Sequence, residues 1–217
     1  MIPVYFILYI FSHGILSLTI NADYDSFYIE LSSRFVSLVH TFYICFFSYS
    51  YLLNYISLDY FFSKIYYTKS FLVYDLILVF YFRKYFKDNL MIFFHHIAFL
   101  LCLFLTSNVQ LMAQGLIAET TNPFLYTTWF LHKYHKTNGI LFKTCSILLY
   151  VSFFVFRIIN FGHLLYTGIS DYSNFHPFEI FSMVVIYILN LNWFRILTIK
   201  LIGILKNKNL QKIKKCE

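Results

Sequence analysis

Two adjacent histidines, His95 and His96, stand just inside the apolar run Met91-Ile92-Phe93-Phe94-His95-His96-Ile97-Ala98-Phe99-Leu100-Leu101-Cys102-Leu103-Phe104-Leu105. Lipid offers no water to an imidazole, so such a group needs a protein partner or a wet cavity. Neighbouring positions on a helix point about 100° apart, so the pair cannot share one face. His95 shares its face with Ala98, Cys102 and Thr106, and His96 shares its face with Leu100, Leu103 and Ser107. The first face is smaller and more polar, so His95 is expected to point inward.

Other costly groups lie in apolar surroundings. Asp75 falls within a short apolar stretch, and an intramembrane carboxylate faces a bundle interior with a partner by default. Glu119 stands beside Asn122-Pro123, where proline interrupts an apolar run. Irregular backbone at membrane depth is tolerated only where protein or a cavity surrounds it. Glu119 is therefore the best-placed acid in the chain, with Arg157 or Arg195 as a possible partner. Arg157 and Asn160 are spaced to face the interior, and Asn190 and Trp193 share a face at i, i+3. His40 closes a stripe with Ser33, Ser37 and Thr41, which reads either as a cavity wall or as interhelical hydrogen bonding.

Composition says what positions these groups. Hydrophobic residues make up 59% of the chain and charged residues 12%, against roughly 45–50% and about 25% in soluble domains. The chain reads as an all-α integral membrane protein. Seven apolar spans are expected, over residues 4–20, 31–54, 70–82, 90–106, 109–131, 140–166 and 178–205. The stretch 55–69 reads as a loop, and the residues after 205 as a polar tail. The first span is followed by no small-residue cleavage site and reads as a retained helix. The 4 cysteines are far apart, so neither a zinc site nor a disulfide framework is expected. His132 and His135 would share a helical face at i, i+3, but the 8 histidines are too scattered for a metal centre.

Charge sets the expected orientation. Arg34, Arg83, Lys84, Lys87, Lys133, Lys136, Lys143 and the lysines from 200 onward gather on one side, with Lys64 and Lys69 on the other. By the positive-inside rule the first side is cytosolic, which puts the N-terminus in the lumen and the C-terminus in the cytosol. The net charge of +7 then reads as topology and membrane-surface attraction, with no nucleic-acid partner. Lys214 and Lys215 stand fourth and third from the end and resemble a dilysine retrieval signal of the endoplasmic reticulum, to be read by coat machinery.

Seven motifs follow one another in order. They are Ser33-Arg34 with Ser37 and His40; Tyr74-Asp75-Leu76; His95-His96; Glu119-Thr120-Thr121-Asn122-Pro123-Phe124; Trp129-Phe130-Leu131; Arg157-Ile158-Ile159-Asn160; and Asn190 with Trp193-Phe194. Together they resemble the TLC domain of ceramide synthases and translocon-associated proteins, most of all the branch of TLC-domain-containing protein four. The resemblance implies six helices around a central cavity over residues 30–205, with residues 1–29 as an added helix and connection and 206–217 as a basic tail. In ceramide synthases the paired histidines belong to the acyl-transfer centre, where an imidazole acts as general base or carries an acyl group. The family pattern there continues with an Arg and a His-Asp…Asp signature. Residues 107–121 contain neither, and Glu119 is the carboxylate nearest that place.

The expected function is to bind a lipid or acyl chain in the bundle and to act in lipid homeostasis at the endoplasmic reticulum. Two alternatives are a His-dependent acyltransferase drawing on acyl-CoA, and a secretory-pathway cargo receptor or transport helper. The candidate catalytic residues are His95, His96 and Glu119. His40, Asp75, Pro123, Arg157, Asn160, Asn190 and Trp193 are candidate cavity or lipid-binding residues. No cofactor is expected outside the acyl-CoA reading.

Overall fold

The computed structural model describes residues 2–19, 25–85, 89–106, 108–137 and 139–213, with side chains over 4–15, 27–85, 90–106, 108–137 and 139–203. All regular structure among them is helical. The order is α1 (Ile2–Thr19), α2 (Asp25–Leu52), α3 (Leu58–Tyr81), α4 (Asn89–Leu105), α5 (Val109–Leu116), a 3-10 turn (Ile117–Thr121) and α6 (Asn122–Lys133). Then come α7 (Ile140–Phe153), a π-helical turn (Phe154–Ile159), α8 (Asn160–Ser170), a short 3-10 turn (Tyr172–Asn174) and α9 (Pro177–Ile213). Among the described residues three stretches are long and apolar enough to cross a membrane: Phe27–Leu52, Ile140–Ser170 and Pro177–Gly203. Val4–Ile15 and Leu90–Leu105 are shorter apolar helices.

The helices close into a ring. α2 packs on α3, α3 on α4, α4 on α9, α9 on α7 and α8, and these on the α5–α6 rod, which returns to α2. α1 lies outside the ring against α2 and α3. Lipid gives little hydrophobic drive between helices, so close packing and interhelical hydrogen bonds carry the association. The serine stripe of α2 fits that rule: Ser32, Ser33, Ser37, His40, Thr41 and Ser48 are all buried. α8 meets α9 closely at Gly168, where a Cβ would stand 3.2 Å from Met183 Sδ.

Three expectations are corrected. The supposed loop 55–69 is helical from Leu58, and the third helix has 24 residues instead of starting at Ser70. Ser57 caps it, its hydroxyl accepting from Tyr60 N at 3.3 Å, and Asp59 suits the helix N-terminus. Tyrosine and lysine lower the hydropathy of this turn. The helical spacing of the buried Phe61, Ile65, Thr68, Leu72 and Asp75 was nonetheless present. Lys64 and Lys69 sit over the Tyr60 and Phe104 rings, at 4.2 and 4.4 Å.

The last helix does not stop at 205 but runs 37 residues to Ile213, about 55 Å at 1.5 Å per residue. Its tail holds Leu, Lys and Gln and no proline to end it. His132 and His135 do not share a helical face: His135 lies beyond α6 in a left-handed conformation, φ 55. Lys214 and Lys215 lie outside the described residues, as does Ser107.

Candidate functional site

The candidate residues fall into two neighbouring groups, with Tyr126 between them and the field of Arg157 in the second reaching His95 in the first. The first group lies between α3, α4 and α9. His95 is 6% exposed, with its ring edge-on to Trp193 at 5.2 Å and near Phe99 at 5.0 Å. Its Nδ1 is buried without a hydrogen-bond partner. His96 turns the other way, and its Nδ1 lies 3.1 Å from Asp75 Oδ2 on α3. That is ion-pair distance, although the two atoms are not aligned as a directed hydrogen bond. Both histidines therefore leave the lipid face, one toward α9 and one toward α3. One turn from Trp193, Asn190 is 0% exposed, and both its amide nitrogen and its oxygen lack partners.

The second group forms where two helices are irregular. The 3-10 turn ends at Thr121, and Pro123 stands second in α6, in the first turn, where its missing N–H costs nothing. This turn presents Glu119, Thr121 and Asn122 to the π turn of the facing helix, whose wider winding carries Arg157 inward. Arg157 Nε donates to Thr121 Oγ1 at 2.9 Å and Nη2 to Asn122 Oδ1 at 3.1 Å. Nη2 stands 3.6 Å from Glu119 Oε1. Asn122 Nδ2 donates to Glu119 Oε2 and, at 3.2 Å, to Thr41 Oγ1 of α2. Arg157 is thus the cation that meets Glu119, while Arg195 is exposed on α9. Asn160 is half-buried and donates to Gln114 O at 2.8 Å.

His95 meets Phe99 and Trp193, Glu119 meets Asn122 and Arg157, and the field of Arg157 reaches His95. Tyr126 of α6 stands between the groups: its hydroxyl faces Ser37 and lies in the field of both Glu119 and Asp75. His40 stands on α2 within electrostatic reach of His96 of the first group. It stacks on Phe71 at 4.0 Å and meets the Tyr5 hydroxyl at 3.3 Å, which ties α1 to the bundle.

An apolar cavity of about 40 Å³ lies between α4, α5, α8 and α9. Phe99, Cys102, Gly115, Phe161 and Glu179 are among its walls. Phe99, one turn beyond His95, separates it from the histidine. Glu179 is 2% exposed and keeps Oε1 without a partner.

Sequence reasoning missed the roles of Tyr126, Thr121, Asn122 and Glu179, whereas Thr41 belongs to the polar stripe of α2 and hydrogen-bonds across helices, as one reading of that stripe had it. For Thr121 and Asn122 a signal existed, since polar residues crowd the proline break. Tyr126 is one tyrosine among 20, and Glu179 reads as an ordinary acid in the first turn of a helix.

The arrangement is that of a helical membrane-type protein with ionisable groups held in its interior. The chain belongs to the TLC-domain family, whose family model matches residues 30–199. No match is found among curated proteins or among solved structures.

Proposed function

We propose that the bundle binds a lipid with its polar end near His95, Asn190 and Trp193 and the tip of an acyl chain directed past Phe99 toward the apolar cavity, and that the protein acts in lipid homeostasis. One observation carries this reading. Buried polar atoms of His95 and Asn190 have no protein partner, next to an apolar cavity whose wall, Phe99, touches His95. Buried polar groups are normally satisfied, so such atoms call for a ligand or water. A hydroxyl would meet both the donor and the acceptor of Asn190, and a carbonyl would meet the donor.

His-dependent acyl transfer from acyl-CoA is the second reading, supported by the 3.1 Å approach of His96 to Asp75. A carboxylate there would orient the ring and stabilise it when it takes a proton from an acceptor hydroxyl or amine. Residence in the endoplasmic reticulum, a lumenal N-terminus, retrieval through Lys214 and Lys215, and membership of the branch of TLC-domain-containing protein four complete the proposal.

The experiment is mass spectrometry of lipid co-purifying with the intact chain. About one lipid per chain is expected, reduced by Gly115→Phe, which fills the cavity, and by His95→Ala. Retention unchanged by both substitutions would refute binding at this place. An acyl mass on the peptide containing His95 and His96 would decide for the enzyme.

A further inference from the structure

The groove between α2 and α6 carries a site apart from the histidines. It encloses about 170 Å³ between Leu31, Phe35 and Leu38 of α2 and Tyr126, Trp129 and Phe130 of α6. Phe35 is 48% exposed, so the groove opens sideways, toward the lipid. Arg34 lines it, with its guanidinium 4.3 Å above the Trp129 ring and 5.7 Å from that of Tyr126.

The charges around Arg34 do not cancel. Arg34 Nη2 donates to Glu30 Oε1 at 2.7 Å, and Lys133 Nζ lies 3.4 Å from the other oxygen, Oε2. Among the described residues two cations share one carboxylate, which leaves one positive charge over. Glu30 takes Nη2 of Arg34, and Nε is buried and has no partner, so the protein uses the guanidinium only in part. Lys136 and Lys143, on either side of the α6–α7 turn, stand exposed or half-buried at the same end of the bundle.

We infer that this groove binds one anionic phospholipid, its phosphate held by Arg34 and Lys133 and one acyl chain lying along Leu31, Phe35 and Leu38. The fork of an arginine matches the oxygens of a phosphate. A lysine at the membrane surface adds attraction to anionic headgroups. The aromatic wall accepts the upper part of the chain, as tryptophan and tyrosine do at headgroup level. Tyr126 is both a wall of this groove and the residue between the two polar groups of the interior, so an occupied groove abuts the candidate site.

The chain has 2 tryptophans, and only Trp129 lines the groove. The test uses the full chain in nanodiscs of phosphatidylcholine, titrated with either phosphatidylserine or phosphatidylcholine carrying brominated acyl chains, which quench indole on contact. The groove signal is the difference between the native chain and Trp129→Phe. One uncompensated charge predicts half-quenching by the anionic lipid at about fivefold lower mole fraction than by the zwitterionic one. Lys133→Gln and Arg34→Gln should each bring that ratio close to one. Equal quenching by the two lipids in the native chain would overturn the site, leaving ordinary annular contact. A preference surviving both substitutions would overturn it too, assigning the attraction to the basic end as a whole. If Arg34→Gln does not fold, Lys133→Gln, at a side chain 46% exposed, decides alone.

Discussion

Replacing Arg157 by Met tests whether the second group locks the two irregular rods together. The side chain is 7% exposed and serves three partners on the facing rod, Thr121, Asn122 and Glu119. Each hydrogen bond from a charged group is worth about 1.5–3 kcal/mol. Removing one partner of a buried ion pair costs about 3–5 kcal/mol, because the other charge is stranded. Glu119 is 21% exposed and can recover some hydration, so the low end, about 3 kcal/mol, is expected. In a chain of this size 1 kcal/mol moves Tm by about 2–4 °C, so Arg157→Met should lower Tm by about 6–12 °C. The measurement is thermal unfolding of the purified protein in mild detergent.

Glu119→Gln alone removes a charge but leaves an amide able to serve Asn122. In the Arg157→Met/Glu119→Gln pair no charge is stranded, so the double variant should be more stable than the sum of the single losses, by about 0.5–3 kcal/mol of coupling. A drop of less than about 2 °C for Arg157→Met would refute the lock. Strict additivity would show that Glu119 and Arg157 do not act as a pair.

Tyr5→Phe removes the hydroxyl that meets His40 Nδ1 at 3.3 Å and donates to Tyr67 O at 3.2 Å. A loss of about 1 kcal/mol is expected, with α1 becoming more open to proteolysis; an unchanged digestion pattern would show that this contact does not hold α1. Glycosylation acceptors inserted at 55 and 172 should be modified and one at 136 should not, because the lysines and arginines gather on the side of 136; modification at 136 would reverse the orientation. Changing Lys214 and Lys215 together to Ser should let the protein leave the endoplasmic reticulum, as read by fluorescence microscopy of the tagged chain, and unchanged location would exclude retrieval by that pair.

The sequence by itself determined the membrane-type helical class, because solvation in lipid demands apolar composition and lets only costly polar residues stand out. His95, Asp75, Glu119, Arg157 and Asn190 were visible for that reason. The proline break was visible too, since Pro123 cannot donate a backbone hydrogen bond. Hydropathy hid the first turns of α3, where Lys64 covers Tyr60 and Lys69 covers Tyr66, on a helix that the spacing of Phe61, Ile65 and Leu72 supports. Tertiary structure alone decided the pairing. Sequence offered both Arg157 and Arg195 to Glu119, and the π turn, an insertion in winding that hydrogen-bond geometry sets and composition does not, brought Arg157 to it. The packing of α4 between α3 and α9 sent His95 to Trp193 and His96 to Asp75. Adjacent residues on a helix diverge by about 100°, and which neighbour each then meets depends on how the other helices are arranged around them.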